Sequence, residues 1–222
     1  MSPEKIRLLA LTLVTMILSL SVHEFAHAWA ATRLGDDTPE RDERLTLSPL
    51  AHIDPLGTIL FPAISVLFGG VAFFGWAKPV QFNPNRFRRS ISVRGGSAMV
   101  AAAGPLSNLL LAVLAMGLYV ALSRLGVLGK SSGRSPTEAF SVFLLAMFST
   151  NIGLCVFNFL PFPPLDGSYL LPRSLDDLVE RIRPFSLLLL MILISIPAIR
   201  QTLLDWPMGL LRSAILSLFG VA

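Results

Sequence analysis

The stretch at residues 8–31, LLALTLVTMILSLSVHEFAHAWAA, decides how the rest of the chain is read. It is long and apolar enough for a helix across a bilayer, which takes about 20 such residues, yet it carries His23, Glu24 and His27 near its C-terminal end. Ionisable groups inside a span are costly and by default mark function. On a helix, positions i and i+4 share a face, so the imidazoles of His23 and His27 can converge on one metal ion while Glu24 reaches a water beside it. That spacing is the signature of a zinc hydrolase. The metal lowers the pKa of its water from roughly 15.7 towards about 7 and polarises the scissile carbonyl, and the glutamate serves as general base and then returns the proton to the leaving nitrogen. Mere mutual satisfaction of two histidines and a glutamate between packed helices explains the same residues less economically, because all three fall within five positions of one span. Lys5 and Arg7 ahead of the apolar run, with Ala28-Trp29-Ala30 behind it, mimic a signal peptide, but the His and Glu side chains interrupt that pattern.

The composition agrees with a membrane setting. Of 222 residues, 53% are hydrophobic and 14% charged, against about 25% charged in soluble domains, and the mean hydropathy is +0.67. These values exclude a disordered chain and argue against a soluble globule. The net charge of +4 reads as basic loops at an anionic lipid surface rather than a nucleic-acid footprint. The single cysteine, Cys155, lies in an apolar run, so a metal must be held by histidines and carboxylates.

Beyond residues 8–31, apolar stretches cover residues 56–77, 97–122, 139–160 and 185–199. All but 56–77 read as helical. Pro62, Gly69 and Gly70 interrupt that one, and the run Val71 to Val80 is rich in β-branched and aromatic residues, which predicts a helix followed by an extended return. Residues 203–222 suit a helix at the interface, and Lys130 to Pro136 a flexible loop. The expected fold is therefore an all-α polytopic membrane protein: a helical bundle of about five or six segments with a re-entrant extended or hairpin element. Residues 1–222 read as one domain, with a core at about 8–175 and C-terminal helices at 176–222.

A catalytic zinc takes a third protein ligand and keeps an open position. The third ligand is either His52 or a carboxylate, and the best-placed carboxylate is Asp166 in Asn158-Phe-Leu-Pro-Phe-Pro-Pro-Leu-Asp166-Gly167. Its prolines force a non-helical backbone at or near membrane depth, tolerated only where it is buried in protein or lines a wet cavity. The alternative is that Asp166 caps the short helix that follows.

The pairing of His23-Glu-Phe-Ala-His27 with Asn158-Phe-Leu-Pro-Phe-Pro-Pro-Leu-Asp166-Gly167 resembles the site-2 protease family of intramembrane zinc metalloproteases. Ala103-Gly104-Pro105-Leu106-Ser107-Asn108 is similar to the segment that opens the family's middle core helix. The resemblance covers residues 8 to 175. It implies one zinc ion per chain on His23, His27 and Asp166, Glu24 as catalytic base, and Asn158 as a donor to the oxyanion, where an amide contributes most when water is scarce. Asn108 reads as an interhelical hydrogen bond that buttresses packing. No PDZ-like insert, nucleotide-sensing appendage or span before the His-Glu helix is expected. Ser48-Pro-Leu-Ala-His-Ile-Asp-Pro-Leu-Gly57 resembles a stretch of the family's minimal members, within which His52 reads as a loop histidine, with a proton relay or a substrate contact as the alternatives.

Topology offers an independent test. If His23, His27 and Asp166 share a metal, the spans ending near residues 31 and 160 end on one side, and the span from 97 begins there. The stretch 56–77 then crosses twice or not at all. Eleven of the 18 Lys and Arg residues lie on that side (Arg33, Arg41, Arg44, Lys78, Arg86, Arg88, Arg89, Arg94, Arg173, Arg181 and Arg183), which makes it cytoplasmic by the positive-inside rule. The strand edge at Phe73 to Val80 is suited to pair with an unwound substrate. The expected function is hydrolysis of peptide bonds in or near the membrane segments of single-span proteins, in the cell membrane, with the site open to the cytoplasm. Competing readings are a membrane zinc enzyme acting on a soluble peptide or lipid-linked bond, a metal-binding scaffold without turnover, and an ion transporter.

Overall fold

A computed structural model describes residues 2–67, 75–128 and 136–221. Gly69, Gly70, Phe73, Phe74 and most of the predicted loop at 130–136 lie outside the described residues.

Three helices are long and apolar enough to cross a membrane: α1 (Pro3–Leu34), α2 (Val93–Arg124) and α3 (Pro136–Asn158). Helix α1 begins where Ser2 Oγ accepts from the Lys5 N–H and Pro3 fills the first turn, and it ends at Gly35, whose φ of 109° only glycine adopts without strain. Its 32 residues span about 48 Å at 1.5 Å each, more than the roughly 30 Å hydrocarbon core of a bilayer. Ser92 caps α2, accepting from the Gly95 N–H. On α2 the exposed leucines 106, 110, 114 and 118 recur every four residues, forming the stripe that a span turns to lipid.

The three helices pack together. Ala112, Met116 and Val120 of α2 bury against Met147, Phe148 and Ile152 of α3. Ala31 and Leu34 of α1 bury with Val100 of α2 and Phe87, so the C-terminal end of α1 meets the N-terminal end of α2. This is the antiparallel arrangement that the shared-metal topology demands.

The stretch after residue 55 matches its expectation in outline. A π-helical turn (Pro55–Leu60) runs into a short α-helix (Phe61–Leu67), and residues 75–80 return without helix. The return is stitched inward at every second residue, as the period of an extended strand requires. Trp76 N–H donates to Gly57 O (3.2 Å), Lys78 N–H to His52 O (2.9 Å) and Val80 N–H to Glu24 Oε2 (2.8 Å). The carbonyls of Trp76 and Lys78 accept from Thr58 Oγ1 and Arg44. Gly57 is required here, because a Cβ would sit 2.4 Å from the Trp76 ring.

The C-terminal region departs from expectation. The stretch 185–199 is not one straight span: a helix over Ser186–Ser195 stops at Ile196, and the two halves, Arg173–Ser195 and Pro197–Leu218, meet at 94°. Pro197 disfavours the helical conformation at the residue before it, and Ile196 is extended. The final helix (Trp206–Leu218) returns to the bundle, burying Ile215 beside α2 and α3. The described residues thus hold three candidate spans, or four if the bent pair counts as one.

Candidate metal centre

The centre lies where the C-terminal half of α1, the N-terminal half of α2 and the loop after α3 meet. His23, Glu24 and His27 are all buried. His23 Nε2 and His27 Nε2 stand 3.0 Å apart, and Asp166 Oδ2 lies 3.2 Å from the first and 3.4 Å from the second. His52 is elsewhere: buried among loops, its Nε2 faces Thr46 O at 2.8 Å. Of the two candidates for third ligand, the structure brings Asp166 to the histidines. Nor does Asp166 cap a helix; no backbone amide of the following turn bonds its side chain.

Local chain chemistry explains how Asp166 arrives there. The helix α3 ends at Asn158, and tight turns follow through Phe162 N–H to Leu160 O (2.8 Å), Leu165 N–H to Phe162 O (2.9 Å) and Ser168 N–H to Leu165 O (3.0 Å). Gly167 allows the loop to fold back on the helix end, since a Cβ there would meet Phe159 O and Leu160 O at 2.4 Å. Arg94 on the first turn of α2 pins the far side through an ion pair with Asp176 (3.1 Å) and a bond to Leu171 O.

The donor set fits a metal ion. His27 Nδ1 lies 2.7 Å from Val100 O, an acceptor only, so it carries the proton and its Nε2 presents a lone pair. His23 Nδ1 lies 2.7 Å from Asn108 Oδ1. Two Nε2 lone pairs and a carboxylate oxygen then face one another across 3.0–3.4 Å, and buried Asp166 Oδ2 has no hydrogen-bond partner. A metal ion held among the three atoms would relieve that convergence. The spacing suits zinc, since a tetrahedron with bonds of 2.0–2.1 Å has edges of about 3.3 Å. Space is set by Gly104 of α2, where a Cβ would fall 2.4 Å from His27 Nε2 and 2.6 Å from His23 Cε1.

Glu24 is adjacent, with its Oε2 accepting from the Val80 N–H. Asn158 is partly buried and donates through Nδ2 to Leu154 O (3.0 Å) one turn back. Asn108 makes the interhelical hydrogen bonds expected of it, to His23 and Ser19 O of α1 and to Asn151 of α3, whereas sequence reasoning missed Asn151 and did not foresee His23 as a partner. Asn108 was signalled by the segment Ala103 to Asn108 and by its place on an apolar helix; Asn151 had only the latter.

A bundle of membrane-length helices around a buried His-His-carboxylate cluster with an adjacent glutamate defines a membrane metallohydrolase. The comparisons make this specific. The profile of peptidase family M50 matches residues 11–133. The chain is 36% identical over 215 residues to YwhC of Bacillus subtilis (strain 168), covering 93% of this chain and 89% of that one, and YwhC carries a zinc metalloprotease name. Rip2 of Mycolicibacterium smegmatis (strain mc(2)155), named likewise, is 30% identical over 203 residues, covering 86% and 69% of the two chains. Rip2 of Mycobacterium tuberculosis (strain H37Rv), also so named, is 30% identical over 198 residues, covering 87% and 68%. No solved structure matches the chain. The chain belongs to peptidase family M50, the site-2 protease family of membrane zinc metalloproteases.

Proposed function

We propose that this protein hydrolyses peptide bonds in or beside the membrane segments of single-span proteins, with one zinc ion held by His23, His27 and Asp166. The observation that carries the reading is the buried triangle of those three ligand atoms beside Glu24. Zinc, when bound, supplies Lewis-acid polarisation of the scissile carbonyl and acidifies a water. Glu24 takes the proton of the attacking water and delivers it to the leaving nitrogen. The Val80 N–H fixes one of its oxygens and so restricts where the carboxylate points. Asn158 has two N–H donors on its carboxamide; with one spent on Leu154 O, the second is the donor to the developing oxyanion. His23, His27 and Asp166 sit at the ends of segments that meet near one face, and the 11 basic residues on that side support an opening to the cytoplasm.

The test is to purify the chain, measure bound zinc, and follow cleavage of a tagged single-span substrate by the wild type and by Glu24→Ala. Retained zinc with lost cleavage in the variant is the expected result. A wild type without zinc would overturn the reading, and zinc without cleavage would favour a metal-binding scaffold.

A further inference from the structure

Behind His23 lies a chain of polar groups that the catalytic reading does not use. Ser19 of α1, Asn108 of α2 and Asn151 of α3 are each fully buried, at 0% exposure. Their bonds form a line. Asn151 Nδ2 lies 2.8 Å from Met147 O and 2.9 Å from Ser19 Oγ; Asn151 Oδ1 lies 2.8 Å from Asn108 Nδ2; Asn108 Oδ1 lies 2.7 Å from His23 Nδ1.

The direction of this line follows from its far end. A carboxamide can be turned over in place, so which atom is oxygen is settled by its partners. Met147 O is a main-chain carbonyl and only accepts, which commits the Asn151 amino group to it and turns Oδ1 towards Asn108. Asn108 must then present its own amino group to Asn151, and Ser19 O, another pure acceptor 3.3 Å from Asn108 Nδ2, demands the same orientation. Asn108 Oδ1 is left facing His23 Nδ1, which must carry a proton. The tautomer of His23 is thereby determined, with Nε2 turned to the metal as a lone pair. Each link would cost a buried unsatisfied polar group if reversed.

We propose that Asn151 is a positioning residue for the metal centre: with Asn108 it forms a two-amide relay that transmits the polarity of the Met147 carbonyl to His23 and holds it in the metal-binding tautomer. This rests on the metal site proposed above but concerns residues that do not touch the metal. His27 reaches the same state in one step through Val100 O. His23 Nδ1 faces a carboxamide oxygen instead, and reaches a carbonyl only through the relay.

The test uses the full chain in detergent, zinc affinity by chelator competition, and long-range proton–nitrogen spectra of protein labelled at its three histidines. In the zinc-loaded wild type, His23 should bind through Nε2 and keep a proton on Nδ1. Asn151→Leu and Asn108→Leu should each weaken zinc binding by about 10- to 100-fold, the range for removing a partner of a ligating histidine. The double variant should lose no more than Asn108→Leu alone, since links in series do not add. Met116→Ala, which opens the apolar core between α2 and α3 off the relay, should lower thermal stability but leave zinc affinity unchanged. The proposal is overturned if Asn151→Leu binds zinc like the wild type, if the two losses add, or if Met116→Ala weakens zinc equally. Should the leucine variants fail to fold, the wild-type spectrum still decides, because zinc on His23 Nδ1 refutes the relay. Absence of zinc from the wild type would instead defeat the underlying metal site, whereas an unaffected Asn151→Leu defeats only the relay.

Discussion

Gly104→Ala tests the metal centre without removing any donor atom. The added Cβ would lie 2.4 Å from His27 Nε2 and 2.6 Å from both His23 Cε1 and His27 Cε1, where ordinary contact begins near 3.4 Å. Something must therefore yield by about 1 Å, several times the ±0.2 Å that metal–ligand distances tolerate. The rings have little freedom to absorb it, because their Nδ1 atoms are fixed at 2.7 Å to Val100 O and Asn108 Oδ1. We expect zinc affinity to fall on the order of 100-fold, as when a support of a ligating histidine is lost. Fold stability should change much less: overpacking costs about 1–3 kcal/mol, and replacing glycine by alanine within a helix returns about 1 kcal/mol. The net for the metal-free protein is then about 0–2 kcal/mol. Chelator competition reads the affinity, and thermal unfolding of the metal-free protein in detergent reads the stability. Gly209→Ala, with nothing within 4 Å of its new Cβ, is the matched control. Wild-type zinc affinity in Gly104→Ala would refute the assignment of the metal to the space between the two Nε2 atoms.

Two further perturbations separate roles within the site. Asp166→Ala should strip zinc from the purified protein, while His52→Ala, whose imidazole faces Thr46 O, should retain it; metal content by elemental analysis checks both, and the opposite outcome would reassign the third ligand. Val80→Pro deletes the N–H that holds Glu24 Oε2, so kcat for a single-span substrate should drop on the order of 10-fold with zinc content unchanged. Val80→Ala keeps that amide and should cleave at the wild-type rate; equal rates for the two variants would remove Val80 from any part in aiming the glutamate.

What could be read from the chain divides along physical lines. Helix α1 and its His-Glu-Phe-Ala-His face were legible because both signals are local: apolar length gives the span, and the 3.6-residue period puts His23 and His27 on one side. Asp166 was legible as a carboxylate among prolines that break a helix where it would otherwise continue. The inward stitching of residues 76, 78 and 80 was not, because the partners Gly57, His52 and Glu24 are distant in sequence and chosen by packing. The bend at Ile196 had a written cue in Pro197, but the apolar run around it dominates a reading by hydropathy alone. Asn108 and Asn151 were beyond reach together: their meeting depends on the rotation of α2 and α3 about their axes, which the composition of two almost wholly apolar helices hardly constrains.

The choice of amides behind the histidines has its own logic. Ligating histidines often lean on carboxylates, and in water the extra charge would cost little. Here the site is buried at the junction of three membrane-length helices, where an uncompensated charge is expensive. With a divalent cation bound, Asp166 and Glu24 already bring the formal charge of the centre to zero. A carboxylate at position 108 would add a negative charge with no cation assigned to it, and its second oxygen would confront Asn151 Oδ1, now 2.8 Å from a donor. A carbonyl behind His27 and a carboxamide behind His23 orient both rings through dipoles alone. The proposed centre would thus keep both its ligand geometry and its neutrality, and the second asparagine follows from the first: a buried carboxamide that accepts from His23 must find acceptors for its own amino group, and Asn151 and Ser19 O provide them.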